Sequence, residues 1–313
     1  MASEDGRVLF MDTRMQVLQL PDGRQLSYEI GGDLDGYPVI GLHGTPGCRL
    51  SRWPVDLVYA DAGVCFVTTD RAGYGQASRR PGRRVADEAQ DVLAVADALG
   101  WGRFGVIGGS GGGPHALACA ALLPDRVERA ACLSGLAPLG RQGLSREAWL
   151  AGMSEGGIEE LEWSEAGEAT LIREQTLQQQ QLAEGLATSP AALFGPELSD
   201  ADRAFLERPE TVEALRRIIP EQAAHGVFGW VDDSLAFIAP WGFTPEVIAI
   251  PVLVAYGRAD ALVPPAHGDW LAANIPTATT VVSQDGGHLP GDPLVEIAEQ
   301  MAWLRDGVVP TAA

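Results

Sequence analysis

The chain has 313 residues, 46% of them hydrophobic and 20% charged, with a mean hydropathy of +0.03; that balance excludes a fibrous or wholly disordered chain and fits one large globular domain or two ordinary ones. Its 42 acidic residues outnumber 22 basic ones for a formal net charge of −20, which repels polyanions and sets aside nucleic acid and anionic membrane surfaces as partners. All 22 basic residues are arginine, so Schiff-base and lysine-nucleophile chemistry is excluded.

In chain order, MQVLQL (15–20) and QLSYEIG (25–31) flank PDGR, a Pro-Asp-Gly signal for a hairpin turn. VIGLH (39–43), VCFVTTD (64–70), FGVIGG (104–109) and RAACLSG (129–135) read as buried strands. Between them, 85–100 has apolar positions 85, 93, 95 and 99 and a glycine stop, and PHALACAALL (114–123) is a second helical stretch. This alternation predicts an α/β fold with a mostly parallel central sheet and helices on both faces.

The alternation stops near Ala137, and residues 137–245 read as helices and loops only. PVLVAYG (251–257), a helix around 267–274, TTVVS (279–283) and a last helix over 293–305 then resume it. The expected division is a core of 1–136 and 246–313 with an inserted helical cap, or lid, at 137–245 over the sheet's carboxyl edge. This window holds 18 acidic residues against 7 arginines, a net of −11. Its acidity is expected over the active-site entrance, where it would disfavour anionic substrates.

Gly108-Gly109-Ser110-Gly111-Gly112 follows the strand FGVIGG and precedes a helix, the strand–turn–helix setting that G-x-S-x-G needs to expose a serine hydroxyl. A hydroxyl is a weak nucleophile until a base takes its proton. Of five histidines, His115 lies on the following helix, roughly 140° round from Ser110; His225 sits in the cap and His267 opens a helix. His288, in the glycine-rich DGGHL after the last strand, can reach over the sheet edge. Asp260, in YGRAD beyond PVLVAYG, emerges at that edge to orient it, with Asp232 or Asp233 as weaker rivals. The order Ser110, Asp260, His288 is that of one particular fold among the unrelated triads.

Acyl transfer also needs N–H donors for the developing oxyanion, each typically worth about 3 kcal/mol. Gly111 at the start of the helix offers one, and HGTPG (43–47) offers another. Pro46 has no N–H, so Thr45 is the expected second donor, with His43 tying loops together.

HGTPG, DRAGYGQAS (70–78), GGSGGG, YGRAD and GGHL, in this order, resemble the α/β-hydrolase fold superfamily, in particular its capped serine esterases and proline iminopeptidases. The resemblance implies the triad Ser110, Asp260 and His288 with Thr45 and Gly111 as oxyanion hole. Serine at the elbow departs from the related dehalogenases and epoxide hydrolases, which use Asp there. Gly111 departs from the G-G-S-W-G elbow of proline iminopeptidases.

The expected activity is hydrolysis of a carboxylic ester of a small neutral or hydrophobic substrate. Rival readings are an aminopeptidase, in which a cap glutamate receives the substrate's ammonium, a cofactor-free perhydrolase or lyase, and a ligand-binding receptor. Asp70, Arg71 and Tyr74 are expected to shape their loop. The aromatics Trp149, Trp163, Phe194, Phe228, Trp230, Phe237, Trp241 and Phe243 are expected to build mainly the cap's core and its seat, one or two facing the triad. Cys48, Cys65, Cys119 and Cys132 form no C-x-x-C and read as small buried thiols. No cofactor or metal is expected. MASEDGRVLF, acidic and short of apolar residues, does not read as a signal peptide, and no apolar run approaches the ~18 residues of a span, so a cytoplasmic location is expected, with a small-molecule substrate, no membrane partner and a homo-oligomer left open.

Overall fold

Valine- and isoleucine-rich runs form one eight-stranded sheet in the computed structural model, which describes residues 15–186, 190–191 and 195–311. The strands are β1 (Gln16–Gln19), β2 (Gln25–Gly32), β3 (Tyr37–Leu42), β4 (Val64–Thr69), β5 (Phe104–Gly109), β6 (Val127–Leu133), β7 (Val252–Gly257) and β8 (Ala278–Ser283). Their order across the sheet is β1-β2-β4-β3-β5-β6-β7-β8. β2 is antiparallel to both neighbours, and every pairing from β4 to β8 is parallel. All strands expected from the sequence form; β6 begins two residues before the expected run, at Val127.

The helices are α1 (Leu57–Asp61), α2 (Glu88–Ala98), α3 (Gly112–Leu122), α4 (Arg146–Leu150), α5 (Glu155–Ala166), α6 (Glu168–Gly185), α7 (Asp200–Leu206), α8 (Pro209–Gln222), α9 (Phe228–Ile238), α10 (Pro265–Asn274) and α11 (Pro293–Asp306). Both sheet faces are covered, so the strands bury both sides of their two-residue alternation. Ile40, Leu42, Val106 and Val254 pack with Val92, Val95, Leu117 and Leu271 on one face. Val39, Phe66, Ile107 and Leu253 meet Tyr59, Met301, Trp303 and Leu304 on the other. α1 was not expected; five residues are too few for a helical period to show, and it is held by Tyr59 stacked on Phe66 at 4.3 Å.

Between β6 and β7 the described residues form helices and loops, from a 3-10 turn at Gly140–Gln142 to another at Pro245–Val247. Trp149, Phe237, Trp241 and Phe243 join the main core cluster, which seats this helical segment on the sheet. Trp163 packs in a smaller cluster with Leu171, Val227 and Val231. Trp230 donates to Glu160 Oε1 at 2.7 Å, Phe228 lies under Arg79 at 4.5 Å, and Phe194 falls outside the described residues. Among the described residues, no helix is long and apolar enough to cross a membrane.

Candidate active site

β3, β5, β7 and β8 run parallel, so the loops that follow them emerge at one sheet edge. At the end of β5, Ser110 has φ +53°, a left-handed conformation that is strained for a residue with a side chain. The turn tolerates no bulk around it. A Cβ at Gly108 would overlap the Gly112 carbonyl, and one at Gly112 would overlap Leu42 O. Ser110 N–H donates to Leu133 O at 2.8 Å and Ser110 O accepts from Gly113 N–H at 2.9 Å, which locks the elbow from both sides.

Asp260 and His288 meet. His288 Nδ1 lies 2.7 Å from Asp260 Oδ2, with the two side chains 7% and 0% exposed. The carboxylate can only accept, so Nδ1 carries the proton and Nε2 is left as the basic nitrogen. Asp260 Oδ1 accepts from the N–H groups of Leu262 at 2.9 Å and Val263 at 2.8 Å, which fixes the carboxylate in its turn. Burial alone would lower the basicity of His288. The charge of Asp260, its hydrogen bond and the charge of Asp202 outweigh this and raise the imidazole above its usual range.

The HGTPG loop after β3 lies against the elbow. A Cβ built at Gly44 would stand 3.4 Å from Ser110 Cβ and 3.9 Å from its Oγ. Thr45 faces Gly111: a Cβ there would overlap Thr45 Oγ1 and come within 2.7 Å of Thr45 Cβ and 3.1 Å of Phe237 Cζ. The departure from a tryptophan elbow thus has a physical reason, since threonine and phenylalanine fill that space. Among the described residues neither the Thr45 nor the Gly111 N–H donates to a protein acceptor.

A buried ionic cluster holds the Thr45 loop. Thr45 Oγ1 donates to Asp233 Oδ2 at 2.7 Å and accepts from Arg71 Nη2 at 3.0 Å. Arg71 also donates to the carbonyls of His43 and Gly44 and pairs with Asp233 at 2.6 Å. Tyr74 OH donates to Asp233 Oδ2 at 2.8 Å, Arg83 pairs with Oδ1 at 2.6 Å, and His115 Nε2 sits 3.2 Å from Oδ1. Burial would raise the Asp233 carboxyl, but the Arg71 and Arg83 guanidiniums hold it well below its usual range. Asp70 shapes its own loop as expected, accepting from Arg49, Ser27 and Gln76. Arg71 reaches further, to the loop before it.

The other titratable candidates are engaged elsewhere. Asp232 pairs with Arg79 at 2.8 Å and Asp233 with two arginines, which removes both from orienting His288. His43 donates from Nδ1 to Gly44 O at 2.7 Å and accepts the Arg71 N–H at Nε2, so it ties two loops. His267 accepts from Ala137 N–H and donates to Trp149 O, and burial pushes both His267 and His115 down to about 4. His225 is exposed near Gln76, and the four cysteines are buried free thiols.

Residues 37–292 match the alpha/beta hydrolase fold family, and the chain belongs to it. It is 34% identical over 116 residues to a proline iminopeptidase of Neisseria meningitidis, a stretch that is 36% of each chain and so spans about a third of that relative's length. It is 24% identical over 308 residues to a non-heme chloroperoxidase of Streptomyces lividans, covering 93% of this chain and 100% of that one. A thermophilic esterase from Thermogutta terrifontis has a similar fold, with a TM-score of 0.65 at 22% identity over 94% of this chain and 97% of that one.

Proposed function

We propose that the chain is a serine hydrolase that cleaves a carboxylic ester of a small neutral or hydrophobic substrate through an acyl-enzyme. Ser110 Oγ attacks the ester carbonyl as His288 Nε2 takes its proton, and the imidazolium passes that proton to the leaving alcohol. Asp260 keeps the imidazole in the required tautomer, and the N–H groups of Thr45 and Gly111 meet the oxyanion. Water then repeats the cycle and releases the acid and Ser110. The helical segment over 137–245 acts as a cap. The observation that carries the reading is the buried Asp260–His288 pair at the sheet edge that also presents the elbow serine.

The full-length similarity to a chloroperoxidase favours a second reading, perhydrolysis, in which hydrogen peroxide replaces water at the acyl-enzyme and the product is a peracid. Turnover of short p-nitrophenyl esters, proline p-nitroanilide and ester plus peroxide separates the cases. Ester turnover is expected to exceed the anilide's. Anilide turnover above ester turnover would replace it with an aminopeptidase, and peracid release faster than acid release with a perhydrolase.

A further inference from the structure

We propose that Asp202, on the short helix α7, is a positioning residue for His288, fixing the backbone of the imidazole's loop and holding a second negative charge beside it. The inference rests on the reading of His288 as the catalytic base. Asp202 is only 1% exposed. His288 N–H donates to its Oδ2 at 3.1 Å, Leu289 N–H to its Oδ1 at 2.7 Å, and the Ser199 hydroxyl to Oδ2 at 2.8 Å. Among the described residues its side-chain hydrogen bonds all come from donors, the pattern that suits a carboxylate, and no arginine pairs with it.

The loop lies directly on this carboxylate, since a Cβ at Gly287 would overlap Asp202 Oδ2 and Ser199 Oγ. Around the contact, Leu198, Phe205 and Leu206 pack with Leu262 and Leu289, which lie two residues after Asp260 and one after His288. α7 therefore seats on both loops that present the acid–base pair.

An anchor for two amides needs no net charge, so charge is the part that a structural role leaves unexplained. Among the described residues the charged groups that act on His288 are Asp260, from the loop after β7, and Asp202, from α7. When the imidazole takes the serine proton it becomes cationic, and Asp202 is an anion already in place that needs no reorganisation.

Asp202→Asn keeps the shape and removes the charge. The rate at which a fluorophosphonate labels Ser110, read by intact mass across pH, should fall about tenfold, and its acidic midpoint should move to lower pH. Leu206→Ala cuts the same apolar cluster without touching the amides, so it should lower Tm and leave the midpoint in place. An unmoved midpoint in Asp202→Asn, or an equal shift in Leu206→Ala, overturns the proposal. Hydrogen exchange in the wild-type chain tests the anchor without any variant: the His288 and Leu289 amides should be protected far beyond that of exposed Asp285. Exchange at an unprotected rate overturns the proposal even where Asp202→Asn does not fold. Wild-type Ser110 that resists labelling points instead to failure of the triad reading, and the exchange result stands apart from it.

Discussion

In the proposed mechanism His288 serves as base only while neutral, and its surroundings decide the pH at which that holds. With the proton affinity of its imidazole raised by Asp260 and Asp202, kcat/KM is expected to fall on the acid side with a midpoint above the ordinary value of about 6.5. Stability carries the opposite sign. A histidine whose folded pKa is raised stabilises fully below its unfolded value, and that contribution is lost as pH rises through the folded one. A pH–rate profile on a short ester checks the first statement, and a midpoint below 6.5 would contradict it. Gly111→Trp should destabilise the fold and remove ester turnover without creating prolyl-anilide turnover, because Thr45 and Phe237 already fill the space. The Asp260–His288 contact was readable from motif order; what G-x-S-x-G could not reveal is that Thr45 and Phe237 close off position 111.

At the scale of elements, α9 is clasped to the core through Asp233, which meets Thr45, Arg71, Tyr74, Arg83 and His115. Removing it leaves two buried guanidiniums unpaired, so Asp233→Ala should cost about 3–5 kcal/mol, measurable by urea unfolding. The loss should come with slower ester turnover, since the Thr45 loop is released. α10 is clasped to α4 through His267, whose two ring nitrogens join Ala137 N–H and Trp149 O. His267 and His115 are pushed down to about 4, so their contribution is present above an unfolded value of about 6.5 and is lost as pH falls through about 4. Tm should therefore decline over that window, and less steeply in His267→Gln. Strands and core helices were legible because a short apolar run and a helical period are local. These clasps were not: Thr45 and Asp233 stand 188 residues apart and Asp202 and His288 86, and an acidic residue in a helix reads as a solvated face until its partner is known.

For the whole molecule, the net charge of −20 is spread unevenly, with −11 in residues 137–245. Part of it is neutralised or buried in the pairs just described, so an acidic stretch in sequence overstates the field over the site. The remaining charge should repel anionic esters at low salt, a difference from neutral esters that shrinks as the Debye length falls to about 8 Å at physiological ionic strength. Relative kcat/KM for a succinyl and an acetyl aryl ester across salt concentrations measures it. Intact mass after exposure to a fluorophosphonate, run beside ester turnover, tests whether Ser110 is the nucleophile of an acyl-enzyme. The expected result is one adduct on the wild-type chain, none on Ser110→Ala, and a kcat in that variant lower by more than about 10⁴-fold. A folded Ser110→Ala chain that keeps the adduct or the wild-type turnover would contradict it.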